Sequence, residues 1–233
     1  LGVQRDAEER LARLDLTKPD DFKKAPFLQA VILALEAAAE IGTRFATRAK
    51  ELAASEAGSQ RKAELLKIAE ICDRVPAYPA RTLYEAIQSV WFVHIMHAMD
   101  NDHGTGMGPG RPDQYLYPYY ENDIREGRIT KEQAQELIDC WFMRYSQYYM
   151  VWRSDAGAYG TLTPHTPGHH LDVGGLKPDG TDASNELSYM FLEAMMHTTG
   201  MTEPTLGLLV HSKTPDPLLI KACQLTSLGG GYP

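Results

Sequence analysis

The order of elements in the last third of the chain constrains the fold most. HHLDVGG at 169–175 reads as a short strand that ends at paired glycines, and Pro204 to His211 as a second strand. Between them, after a KPDG turn at 177–180, Asp182 is placed to cap a helix that runs to about His197. Thr214 and Pro215 open another helix, to about Leu228, with proline at a first helical position where its missing N–H has no partner to lose. Strands joined through a helix pair in parallel, in a sheet or a barrel. Two strands alone cannot make a parallel sheet buried on both faces. The remaining strands must come from further chain or from segments whose pattern hides them. The class is therefore α/β.

The first hundred residues read as helices. Leu11, Leu14 and Leu16 mark a short amphipathic helix over 6–16. Phe27, Val31, Leu35, Ala38, Ile41, Phe45 and Leu52 recur at threes and fours and predict one long helix with a continuous buried stripe. Gly58 and Ser59 break it, and Leu65, Ile68, Ala69 and Cys72 mark a second, antiparallel helix over about 61–74. Residues 81–99, RTLYEAIQSVWFVHIMHAM, are apolar nearly all round past Ser89, as a helix buried in a larger body would be. Thr130 and Gln133 form a capping-box pattern that opens a helix over about 131–148. Residues 155–168 read as a loop.

The charge balance is 23 Lys+Arg against 31 Asp+Glu, a net −8, which argues against a basic nucleic-acid binder. Cys72, Cys140 and Cys223 are too few and scattered for a disulfide framework or a thiolate zinc site, and fit a reducing cytoplasm. On predicted helices among apolar neighbours, Cys140 and Cys223 read as inert core residues. No run of apolar residues approaches the ~20 that span a bilayer, and the opening LGVQRDAEERLARL is no signal peptide, so no membrane partner is expected. The chain opens without Met and stops on GGGYP, so both ends read as cut and a longer protein is expected.

Three places carry candidate chemistry. His94 and His97, one turn apart, could share a metal or be buried core side chains; no metalloprotease carboxylate accompanies them. His169 and His170 are strand neighbours, so they point to opposite faces, one toward a cavity and one into a packed layer, with Asp172 on the face of His170. The stretch Asn101 to Tyr115 holds glycines at 104, 106, 108 and 110, whose alternation lets backbone approach a ligand or another segment closely. Neither a phosphate loop nor a dinucleotide fingerprint fits it. Arg111 and Asp113 there read as a structural ion pair or as substrate contacts.

Four strings go further: ICDRVPAYPARTLYEAIQSVWFVH (71–94), GPGRPDQYLYPYYENDIREGRITKEQAQELIDC (108–140), DVGGLKPDGTDASNELSYMFLEA (172–194) and EPTLGLLVHSKTPDPLL (203–219). From about Phe27 onward the chain resembles the glycyl radical enzymes, the pyruvate formate-lyase-like superfamily with its diol dehydratase, choline lyase and arylacetate decarboxylase branches. The resemblance implies a ten-stranded α/β barrel wrapped by helices, of which residues 1–233 would be a part, mainly helical over 1–100 and with loop, strands and helices over 101–233. It implies a thiyl-forming cysteine, a glycine that stores the radical, and a radical S-adenosylmethionine activating enzyme as partner. It further implies a homodimer acting on a small organic substrate by breaking a C–C, C–N, C–O or C–S bond. Neither the Gly-Cys-Val-Glu-type loop nor the Arg-Val-x-Gly-Tyr-type motif occurs here, so no catalytic residue, metal or bound cofactor is assigned, and residues 1–233 alone are expected to be inactive. Substrate-pocket candidates are His103, Thr105, His169 and His170. Gly106 and Gly108 stand where dehydratase-like members carry serine, and Leu209 stands where the family has arginine; both lean toward an apolar substrate such as an arylacetate. The competing reading is a non-catalytic helical scaffold derived from that family.

Overall fold

A computed structural model describes residues 1–100, 107–146, 169–201, 203–230 and 233. The helices are α1 (Gly2–Ala12), α2 (Pro19–Ser55), α3 (Ser59–Arg74), α4 (Leu83–Asp100), α5 (Pro112–Tyr115), α6 (Tyr117–Arg125), α7 (Lys131–Ser146), α8 (Glu186–His197) and α9 (Asp216–Ser227); the strands are β1 (His170–Gly174) and β2 (Thr205–Leu209). The chain forms two compact units, Leu1–Val93 and His94–Pro233, divided within α4.

In the first unit α2 starts with Pro19 in its first turn and Asp20 and Asp21 beside it, where the helix dipole favours negative charge. The α2–α3 hairpin forms as the spacing predicts, but the buried stripe differs. Ala25, Gly42, Ala46, Ala49 and Ala53 are buried, whereas Phe27 is 69% exposed and Phe45 50%. Close backbone approach is the cause. A Cβ at Gly42 would lie 2.5 Å from the Val75 carbonyl oxygen and 2.7 Å from that of Cys72. Only small side chains fit such a seam, so the large ones turn outward. Leu65, Ala69, Ile71 and Cys72 of α3 are buried, and Lys50 pairs with Asp73 across the hairpin. The outward-facing residues also raise the hydropathy of α2. Its mean over the best 18 residues is 1.4, so by length and composition it reaches a membrane-spanning helix, contrary to the sequence expectation. Glu36 and Glu40 interrupt that stretch, and Gln4 of α1 donates to Glu36 at 3.2 Å.

The second unit is built on a parallel pair. β1 and β2 run side by side in the same direction, with His170 opposite Thr205, Asp172 opposite Gly207 and Gly174 opposite Leu209. A third neighbour lies on the other edge of β1. Gly110 bridges Leu171 in parallel, and the Asp172 N–H donates to the Gly110 carbonyl at 2.9 Å. This segment hid from the sequence pattern because glycine and proline fill it. Gly108 must be glycine here, since a Cβ would strike the His170 carbonyl.

Leu171, Val173 and Leu206 are buried on one face of the sheet, the side on which α8 packs with Leu187, Phe191 and Leu192. α7 and α9 pack on α8, and the rings of Phe142 and Phe191 lie 5.6 Å apart. The arrangement is a stretch of parallel α/β wall; closure into a barrel is not seen among the described residues.

Two caps differ from expectation. Asn185, not Asp182, caps α8, in a capping box with Ser188, while the Asp182 carboxylate accepts from the Ser184 hydroxyl and from His211. Pro215 is extended and caps α9 from outside, with Pro217 in the first turn. The Thr130–Gln133 box at α7 forms as read, with reciprocal bonds of 2.9 and 3.2 Å. α4 is less covered than expected, with Val93 53% exposed.

Gly42→Val tests the small-residue seam. In the polypeptide that carries these residues it should lower the unfolding free energy by about 1–3 kcal/mol, from overpacking against backbone. Gly2→Val, with nothing within 4 Å, should change the denaturation midpoint negligibly.

Candidate functional site

The face of the sheet opposite α8 carries a linked set of polar groups. Strand alternation places His170, Asp172, Thr205, Gly207 and Leu209 together there. The His170 side chain is 56% exposed and that of Asp172 30%. His170 Nε2 donates to Asp172 Oδ1 at 3.0 Å, and Nδ1 lies 3.0 Å from the Thr205 hydroxyl. The Thr205 hydroxyl also lies 3.2 Å from the His169 carbonyl oxygen, so its one proton serves either that carbonyl or Nδ1. Gly207 leaves the space in which the Asp172 carboxylate lies, because a Cβ there would strike Oδ1.

His169 occupies the opposite environment. It is fully buried; Nδ1 donates to the Met107 carbonyl at 3.1 Å, and its backbone N–H donates to the Glu203 carboxylate at 3.0 Å. Its ring packs 4.6 Å from His94 and 5.1 Å from Tyr145. Burial lowers the pKa of His169, opposed by its bond to Met107. Burial, with His169 and His97 nearby, pulls His94 down to about 4. Both imidazoles are thus neutral packing groups at neutral pH.

Arg111 and Asp113 grip the C-terminal end of β1. The Arg111 guanidinium donates to the carbonyls of Gly174 and, at 3.2 Å, Leu176. Asp113 Oδ2 accepts the Gly174 N–H at 2.7 Å and the Ser188 hydroxyl at 2.6 Å. Burial raises its pKa, and the donors from Ser188 and Gly174 oppose that. A few residues on, His211 Nε2 donates to the Gly175 carbonyl at 2.9 Å and to Asp182 at 3.1 Å, while Nδ1 accepts the Lys213 N–H. These residues join loop, strand and helix.

The sequence candidates separate as follows. His103 and Thr105 lie outside the described residues. His170 is on the open face and His169 is not. His94 is buried while His97 is exposed, and no metal-binding cluster of His, Cys, Asp and Glu exists among the described residues. Cys140 and Cys223 are exposed rather than core, because they sit on the outer sides of their helices. Cys72 is buried, and burial pushes its thiol to about 11, which keeps it protonated. Thr205 and Gly207 escaped the sequence reading, since only the register of the parallel pair brings them beside His170.

A family model described as "Pyruvate formate lyase-like" matches residues 1–233. The chain is 38% identical to isethionate sulfite-lyase of Oleidesulfovibrio alaskensis over 100% of its own length and 28% of that protein. It is 35% identical to indoleacetate decarboxylase of Tractidigestivibacter scatoligenes, over 98% of this chain and 25% of that one. The solved glycerol-bound form of the B12-independent glycerol dehydratase from Clostridium butyricum matches with a TM-score of 0.90 at 39% identity, covering 100% of this chain and 29% of the other. The chain therefore spans under a third of the length of the relatives it matches.

The buried imidazoles predict an acid limit. A histidine whose folded pKa is depressed binds fewer protons folded than unfolded, so its support is complete above pH 6.5 and is lost as pH falls toward 4. For His94 the span is worth roughly 3 kcal/mol. Denaturant midpoints measured from pH 7.5 to 4.5 should fall for the native protein and fall less steeply for His94→Gln.

Proposed function

As this chain belongs to the pyruvate formate lyase-like family of glycyl radical enzymes, we propose that it forms part of the catalytic barrel of a radical lyase, with β1, β2 and residues 108–110 as wall strands. The observation that carries the reading is the one-sided sheet. Helices cover the Leu171–Val173 face, while the His170–Asp172–Thr205 face is polar, ordered and open. In a barrel wrapped by helices, that open face is the interior, where substrate is held. His170 is then the pocket residue of the histidine pair. His103 and Thr105 remain pocket candidates on the glycine-rich loop.

The chemistry proposed is cleavage of a C–C, C–N, C–O or C–S bond in a small organic molecule. A cysteine sulfur radical takes a hydrogen atom from substrate carbon, and a glycyl radical stores the unpaired electron between turnovers. Motifs for both positions are absent from residues 1–233, so we place them elsewhere in a longer polypeptide. A radical S-adenosylmethionine enzyme installs the glycyl radical after synthesis, and the assembled lyase is a cytoplasmic homodimer. An enclosed wall serves this chemistry by keeping the radical from solvent and holding the reacting carbon near the sulfur.

An arylacetate substrate keeps only part of its support. Gly108 is explained by its contact with the His170 carbonyl rather than by substrate size. Leu209 does lie on the open face, 39% exposed. Relatives of similar identity include a sulfite-lyase and a decarboxylase, so overall similarity does not choose among substrates.

Anaerobic activation of the full-length polypeptide should give the doublet electron spin resonance signal of a glycyl radical. His170→Ala should then cut turnover at least tenfold with an unchanged melting temperature, whereas His169→Ala should lower the melting temperature. No doublet, or full turnover in His170→Ala, would remove the respective part of this reading.

A further inference from the structure

Resting on the barrel-wall reading above, we infer that Asp172 is a specificity-determining residue that accepts a hydrogen bond from a hydroxyl or ammonium group of the substrate. The geometry leaves this carboxylate half engaged. Oδ1 is held by His170 Nε2 at 3.0 Å, while Oδ2 has no partner among the described residues. The Asp172 backbone N–H is already bonded to Gly110. The carboxylate thus presents an acceptor and no donor to the open face.

Its position is fixed rather than free. With Nε2 donating to Asp172, His170 Nδ1 accepts from the Thr205 hydroxyl of β2 at 3.0 Å. These two bonds link β2 to β1 and set the imidazole, and the imidazole sets Asp172. Across the ladder, glycine at 207 is what lets the carboxylate lie over the neighbouring strand. A larger residue would displace it. Two side chains, His170 and Thr205, and one glycine therefore hold the Asp172 carboxylate on the open side.

A fixed anionic acceptor in an enclosed site selects strongly. It rewards a substrate O–H or N–H, since a hydrogen bond to a charged group is among the stronger ones. It also penalises a carboxylate or sulfonate placed against it, because like charges repel more where water is excluded. Leu209, farther along the same face, offers an apolar surface to the rest of the molecule. The substrate class that fits is a small molecule with a donor group at Asp172 and any anionic group turned away from it.

The test uses the unactivated full-length polypeptide and isothermal titration with glycerol, ethanolamine and phenylacetate, which has neither an O–H donor nor an ammonium at neutral pH. Either glycerol or ethanolamine should bind, showing which donor is taken. Asp172→Asn and Asp172→Leu should each weaken that binding at least tenfold, with the folded signal in circular dichroism retained. Phenylacetate binding should be absent, or no weaker in the variants. Unchanged affinity in both variants, or failure of both donor probes to bind, would overturn the inference. The glycyl radical doublet of the native polypeptide, recorded in parallel, separates the two levels. With the doublet present and affinity unchanged, only the role of Asp172 falls; with no doublet, the lyase reading falls and takes this inference with it.

Discussion

Parallel pairing of β1 with β2, and of β1 with Gly110, is the constraint on which the rest depends. It fixes which side chains share a face. Alternation sends Leu171, Val173 and Leu206 under α8, and sends His170, Asp172 and Thr205 to the other side. A shift of one residue in register would bury Asp172 and expose the valine beside it. The grips of Arg111 and Asp113 on the end of β1 lock that register from the loop side, with the Gly174 N–H and carbonyl both taken.

Much of this was legible in the chain. The two strands, their parallel sense and the helices between and after them follow from pattern; the strands form within two residues of expectation, while the helix between them starts three residues later than its expected cap. The third wall segment did not, because Gly108 and Gly110 carry no hydrophobic signal; backbone approach to His170 and Leu171 is their role, and approach has no periodicity. The stripe of α2 was misread for a related reason. Hydrophobic spacing finds large side chains, whereas Gly42, Ala46, Ala49 and Ala53 are buried because they are small.

The site was half legible. Opposed faces for His169 and His170 follow from strand geometry, but which one meets the open side required the position of α8. Thr205 and Gly207 are ordinary residues until the register sets them against His170 and Asp172. The cysteines show the converse. Apolar neighbours suggested buried thiols, yet helix rotation leaves Cys140 and Cys223 outside and only Cys72 within. This chain spans under a third of the length of the relatives it matches, and the proposed barrel would need further strands to enclose the face that is open here.

The most direct test is a crystal structure of the full-length polypeptide with bound substrate. The account predicts an enclosed cavity bounded by the His170–Asp172–Thr205 face, with a substrate oxygen or nitrogen within hydrogen-bonding distance of Asp172. A helix packed flat on that face, leaving no cavity, would contradict it.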